Sequence, residues 1–136
     1  MTFPRTRVQN NKEQIYCDWR HRFVRLTPEE WVRQQFLHRL TERYGYPAGL
    51  IGVEISLGVR RADAVVYNRD MQPRILLEFK ADMVPLTQQV LDQAAGYNRR
   101  LHVPWLILHN GPHTLIARVE DQTITFKDSI PAWSEL

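Results

Sequence analysis

The sequence predicts an α/β fold, a mixed β-sheet flanked by two α-helices. A capped helix start stands at Thr27-Pro28-Glu29-Glu30, two strand-like runs joined by a polar turn fill residues 61–80, and an apolar run from Val103 to His109 ends in Asn110-Gly111. In order the chain reads helix, three strands, helix, then two or three strands. Helices packed on the faces of one sheet bury such a series most simply.

Residues 1–14 are polar and without periodicity, so the expectation there is a frayed or loosely attached segment. Ile15–Cys17 and Phe23–Arg25 read as a short hairpin around Asp18–His21. Thr27 is then a natural N-cap, Pro28 suits the first helical position, and Glu30 completes a capping box. That helix is expected to run to about Tyr44 and to stop at Gly45, with Val32, Phe36, Leu37, Leu40 and Tyr44 as its buried stripe. Ile51–Leu57 alternates as a strand does, and Gly58 marks a turn before the next one.

Arg61–Tyr67 and Arg74–Lys80 are rich in Ala, Val, Ile, Leu and aromatic residues, and Asn68-Arg69-Asp70-Met71-Gln72-Pro73 between them is a turn. The second helix is expected from about Leu86 to Arg100, turning Leu86, Val90, Ala94 and Tyr97 inward with Gln93 on the same side. Asn110-Gly111 is the strongest hairpin signal, joining Val103–His109 to a return strand at His113–Val119; Thr123–Lys127 is a last short strand and Pro131–Leu136 a tail. There is no internal repeat, low-complexity tract or linker, which predicts one domain over residues 1–136 with its core at about 15–127.

Composition excludes several classes of function. The apolar and charged fractions, 43% and 24%, are those of an ordinary globular protein. No apolar run approaches the roughly 18 residues of a membrane span, and the first residues lack a signal peptide's apolar stretch, so a cytoplasmic location without membrane contact is expected. The single cysteine, Cys17, rules out an internal disulfide and a cysteine-rich zinc cluster. A net charge of +3 does not by itself demand nucleic acid, but its make-up is informative, because only Lys12, Lys80 and Lys127 are lysines. Arginine suits bidentate phosphate contacts, whereas lysine is a compact charge whose pKa can be tuned, so Lys80 draws notice. Without a glycine-rich phosphate loop or a GxSxG motif, nucleotide-driven and acyl-transfer chemistry have no support and no nucleotide cofactor is expected. The five histidines form no convincing ligand set, and His109 and His113, facing across the Asn-Gly turn, read as structural.

The central hairpin holds the chemistry. Folded symmetrically about Asp70–Met71, it sets Tyr67 opposite Arg74, Val65 opposite Leu76 and Asp63 opposite Glu78. Directly opposed residues share a face with Cβ atoms roughly 4.5–5.5 Å apart. Two carboxylates so placed repel, and a divalent cation taking oxygen ligands makes the arrangement favourable. Lys80, two residues beyond Glu78, faces the same way.

Asp63 followed by Glu78-Phe79-Lys80 resembles the D…(D/E)xK signature of the PD-(D/E)XK nuclease superfamily, although Ala62 stands where the superfamily's name has proline. More closely, LTPEEWVRQ, RADAVVYNRD, ILLEFKA, LTQQVLDQAAGYN and LHNG in that order resemble the type I restriction enzyme R-subunit amino-terminal domain family over about residues 15–120. The resemblance implies a restriction-endonuclease-like α-β-β-β-α-β core, here with a C-terminal hairpin. It also implies a Mg²⁺-dependent DNA endonuclease of restriction or defence type, with Mn²⁺ as a substitute metal. Asp63, Glu78 and the Phe79 carbonyl are then metal ligands, and Lys80 orients or deprotonates the attacking water. Gln93 and Tyr97 match a Gln-x-x-x-Tyr motif of the family and sit four apart on one side of a helix. Glu30 answers to a first-helix carboxylate near the metal, with Glu29 as its substitute.

Arg33, Arg60, Arg61, Arg99 and Arg100 are candidate phosphate contacts, which position a duplex without reading it. A homodimer, or a partner protein that delivers DNA, fits a small domain without a motor. The competing reading is a catalytically silent module that keeps the fold to bind nucleic acid or protein.

Overall fold

Thr27 starts the first helix as its sequence requires, its Oγ1 accepting the Glu30 amide at 3.1 Å. In this computed structural model, which describes residues 3–58, 60–121 and 123–136, α1 spans Pro28–Glu42 and ends on Arg43. Its buried stripe is Val32, Phe36, Leu37 and Leu40. Tyr44 does not join them and is 45% exposed, because the helix stops early and Gly45, at φ +71°, turns the chain so that Tyr46 enters the core instead. The Tyr46 hydroxyl donates to the Pro131 carbonyl at 2.6 Å.

Six strands follow in one sheet ordered β4-β5-β6-β7-β8-β9: Ile51–Ser56, Arg61–Tyr67, Pro73–Phe79, Trp105–His109, Thr114–Glu120 and Thr123–Lys127. Only β6 and β7 run parallel. A parallel pair needs a crossover, and α2, Gln88–Leu101, supplies it, capped by Thr87 and closed by His102 in the left-handed region. The sheet has two apolar faces. Ala64, Val66, Ile75, Leu77 and Phe79 pack against α1, while Val65, Leu76, Leu106 and Leu108 pack with Leu91 and Ala94 of α2. This alternation turns Asp63, Glu78 and Lys80 toward the α2 face. The α-β-β-β-α-β order and mixed sheet are those of a restriction-endonuclease-like fold.

Residues 6–17 are not frayed; residues 1 and 2 lie outside the described residues. β1, Thr6–Gln9, β2, Lys12–Cys17, and β3, Arg22–Arg25, form a separate antiparallel sheet. Asn10 and Asn11, both at positive φ, make the tight turn between β1 and β2. Asparagine tolerates that conformation, so the Asn-Asn pair is a hairpin signal in its own right. Arg7 lies over the Phe23 ring at 3.9 Å. The carboxyl-terminal residues are anchored too. Ile130, Trp133 and Leu136 pack on the α1-side core, and the Trp133 indole N–H donates to the Tyr67 carbonyl at 3.3 Å. An amphipathic indole with apolar area to bury accounts for this docking.

His109 ends β7 inside the core, 3% exposed, with its ring 4.5 Å from that of Phe36 and Nδ1 2.7 Å from Thr114 Oγ1. Burial first, then the nearby Arg39 charge, pushes its pKa down to about 4. The unfolded chain therefore binds more protons than the folded one between pH ~6.5 and ~4, and stability falls as pH is lowered through that window. Full protonation costs about 3 kcal/mol. Thermal unfolding of wild type and His109→Gln at a series of pH values is expected to show the steeper acid loss in wild type.

Candidate metal centre

The β5–β6 ladder pairs Ala64 with Leu77, Val65 with Leu76 and Val66 with Ile75. One step further, the same register sets Asp63 against Glu78. The expected Tyr67–Arg74 pair is replaced by Tyr67–Pro73, because the register shifts by one residue between Val66 and Tyr67, away from the carboxylates. Asp63 Oδ2 accepts the Phe79 amide at 2.7 Å, which fixes its side chain across the strand ends.

Glu78 is the most perturbed carboxyl. Burial raises its pKa first, the Asp63 charge and a hydrogen bond shared with the Asp63 carboxyl raise it further, and Lys80 only partly opposes them, leaving it at about 9. Its Oε1 is buried without a hydrogen-bond partner among the described residues. Lys80 follows directly, its amide donating to the His109 carbonyl at 3.0 Å, and its side chain is half-buried without an ion pair among the described residues.

The two glutamates that open α1 have different fates. Glu30 is 6% exposed and takes hydrogen bonds from Arg33, Arg20 and Gln34. Burial would raise its pKa, but those hydrogen bonds hold it below the usual carboxylate range. Its amide completes half of the expected capping box; its carboxylate does not return to Thr27 and serves the arginines. Glu29 is solvent-facing and stands in the field of Asp63 and Lys80: burial, then Asp63, raise its pKa, while Lys80 and Arg33 lower it. Of the pair, Glu29 is the one whose carboxyl senses Asp63 and Lys80.

The arginines also divide. Arg33, buried, pairs with Glu30 and, at 3.4 Å, with Glu54, and its Nη1 approaches the Asp63 carbonyl at 3.5 Å. It braces Asp63 from behind and is not the surface phosphate contact expected of it. Arg60 donates to the Tyr97 hydroxyl at 2.9 Å, Arg61 is exposed and reaches Glu54 at 3.2 Å, and Arg100 lies over Gly58. Arg99 points to the other flank of α2, apart from the carboxylates. Gln93 is exposed and Tyr97 half-buried, so only the tyrosine joins the inward side.

Arg20 and Glu54 carry no sequence signal, yet they complete the brace. Glu54 lies across from Asp63 in the β4–β5 register, at φ +55°, and is held by Arg20 at 2.7 Å as well as by Arg33 and Arg61. A non-glycine residue held in that region marks a strained position tied down by its surroundings.

A profile of the family described as type I restriction enzyme R protein N terminus matches residues 28–131. The chain belongs to that family. The R protein N-terminus match covers both helices and the whole six-stranded sheet, and leaves the β1–β3 sheet outside it. No curated protein matches the chain in a sequence search.

The donor set suits a hard cation. Two carboxyls, one with a buried and unpartnered oxygen, are ligands of the kind that Mg²⁺ and Mn²⁺ take, and among the described residues no Cys or His joins them in a ligand cluster. Among the described residues no three His, Cys, Asp or Glu side chains gather at one point, so the remaining positions would fall to backbone carbonyls and water. No helix among the described residues is long and apolar enough to cross a membrane.

Proposed function

We propose that the chain is a metal-dependent nuclease domain that hydrolyses phosphodiester bonds in DNA, as a restriction or defence component. One observation carries this reading above the rest: a half-buried pair of opposed carboxyls, Asp63 and Glu78, with a buried oxygen of Glu78 left without a partner among the described residues. Family membership supports DNA as the substrate. Asp63, Glu78 and the Phe79 carbonyl would hold Mg²⁺ or Mn²⁺. The bound cation supplies a Lewis acid and a water of lowered pKa.

The chain's own residues do the rest. Lys80, on the face of Glu78, orients the attacking water or takes its proton. Glu29 adds negative potential at the same strand ends and favours the cation. Tyr97, steadied by Arg60, and Gln93 beside it contact the phosphate that flanks the scissile bond, while Arg61 and Arg100 meet the backbone further out. Arg33 and Glu30 keep Asp63 in place and touch no substrate. The activity is tested by incubating the full chain with plasmid and with single-stranded DNA, in Mg²⁺, in Mn²⁺ and in chelator. Cleavage in metal alone is the expected result. DNA binding that persists in chelator and never leads to cleavage would favour a silent binding module instead.

The raised pKa of Glu78 gives a second, independent check. Without metal, the folded state binds more protons than the unfolded state between pH ~4.5 and ~9, so this group's contribution to stability declines as pH rises. A cation must displace that proton, so metal affinity is expected to climb through the same range. Glu78→Gln removes the titration but keeps the shape. Its metal-free midpoint at pH 8 is expected to exceed that of wild type by roughly 3–5 °C, about 1 kcal/mol, and to gain nothing from Mn²⁺. A variant that melts below wild type and still responds to Mn²⁺ would remove Glu78 from the site.

A further inference from the structure

A cleft of about 780 Å³ lies away from the carboxylates. It opens on the other flank of α2, where Ala95, Asn98, Arg99 and His102 face the β8–β9 hairpin. Their spacing of three and four residues places them on one side of the helix. Tyr97 and Arg100 belong to the opposite flank, against Arg60 and Gly58. Arg74 enters the cleft from β6, on the same strand face as Glu78 but four residues away, about 13 Å along the strand. The cleft and the carboxylate pair are therefore separate sites with the helix between them.

Two features of the cleft point to a ligand. The guanidinium of Arg74 forms no ion pair or hydrogen bond among the described residues, and its Nε is buried without a partner. A buried cationic donor left unsatisfied is costly unless something binds it. Arg99 stands on the facing wall, also without an ion pair among the described residues. The wall between them is apolar, built from Val103, Leu106, Val119 and Ile124. Asn98 is spent in fixing that wall, exchanging hydrogen bonds of 2.7 and 2.9 Å with the Val103 backbone. Apolar walls with a few convergent polar groups are the ordinary make-up of a small-molecule site. The carboxyl end of α2 and Asp121 bring negative potential to the rim, which Arg99 offsets from the last helical turn.

We propose that this cleft binds a nucleoside phosphate, with the phosphate between Arg74 and Arg99 and the base against the half-buried Ala95, Val119 and Ile124. Phosphate prefers bidentate arginine, and a flat base buries apolar area that inorganic phosphate lacks. No glycine-rich loop is needed, because two guanidinium groups do its work. The site is one of binding and not of hydrolysis, and it stands whether or not the carboxylate pair cuts DNA. The nucleotide comes either free from solution or as the 5′-phosphorylated end of a nucleic-acid strand; the chemistry recognised is the same.

The test is calorimetric titration of the full chain in chelator, which silences the carboxylate pair, with AMP, inorganic phosphate, and a short oligonucleotide bearing a 5′-phosphate or a 5′-hydroxyl. AMP is expected to bind at least about tenfold more tightly than inorganic phosphate. Arg74→Gln and Arg99→Gln are each expected to weaken AMP about tenfold or more, while Asp63→Ala leaves it unchanged. Arg99 is exposed, so Arg99→Gln keeps the test valid even if Arg74→Gln melts early. An oligonucleotide that outcompetes AMP only when 5′-phosphorylated, and only with Arg74 present, would identify strand ends as the source. No binding of AMP or oligonucleotide, equal binding of AMP and phosphate, or binding indifferent to both arginine substitutions would each overturn the proposal.

Discussion

Replacing Lys80 by Ala is expected to reduce DNA cleavage by about 10²–10⁴-fold while leaving metal affinity within a few-fold of wild type. Lys80 stands beside Glu78 on the α2 face, its amide is held by β7, and its ammonium has no ion pair among the described residues. In the proposed mechanism it acts on a water molecule and is not a ligand itself. Asp63→Ala should behave differently, losing cleavage and metal binding together, because its carboxylate is half of the proposed ligand pair. Single-turnover cleavage assays alongside metal titrations separate the two outcomes. A Lys80→Ala protein that cuts at the wild-type rate would remove Lys80 from the chemistry.

Glu30→Ala is expected to unfold the protein far more readily, by about 3–5 kcal/mol, or on the order of 10 °C in the thermal midpoint. The substitution leaves Arg33 buried and deprived of its closest carboxylate, and Arg20 with Glu54 and the Cys17 sulfur as its remaining partners among the described residues. Breaking one partner of a buried ion network strands the other charge, which costs far more than the pair contributes. Glu29→Gln, one residue away, is expected to leave the midpoint nearly unchanged and to lower cleavage, since Glu29 is solvent-facing and senses Asp63 and Lys80. Thermal unfolding and cleavage measured on both variants check the division. The reverse pattern, a stable Glu30→Ala and an unstable Glu29→Gln, would refute it.

The contrast between these neighbours shows what the sequence could convey. Asp63 and Glu78 were legible because turn symmetry and strand alternation are local, and the register past the bulge at Tyr67 is the one they dictate. The first helix start was legible for the same reason, Thr27 capping the amide three residues on, whereas the second helix begins at Gln88 behind a Thr87 cap, two residues after the expected Leu86. Glu29 and Glu30 could not be told apart, because what turns Glu30 inward is Arg20, from the β2–β3 turn of a separate sheet. Glu54 was silent for a like reason. On an alternating strand it reads as an outward polar residue, and only three arginines from elsewhere make its left-handed backbone tolerable. Asn10-Asn11 was readable turn chemistry passed over amid a polar stretch. Arg74 and Arg99 meet only through the β6-α2-β7 crossover, so no spacing along the chain announces the cleft they share.

The proposed function rests on a cation held between Asp63 and Glu78, and calorimetric titration of Mn²⁺ at pH 8 into wild type and Asp63→Ala tests that claim most directly. A single site in wild type, with affinity at least about a hundredfold weaker in the mutant, is the predicted result. Equal binding by both proteins, or none by folded wild type, would contradict it and leave the carboxyl pair as a protonated structural contact.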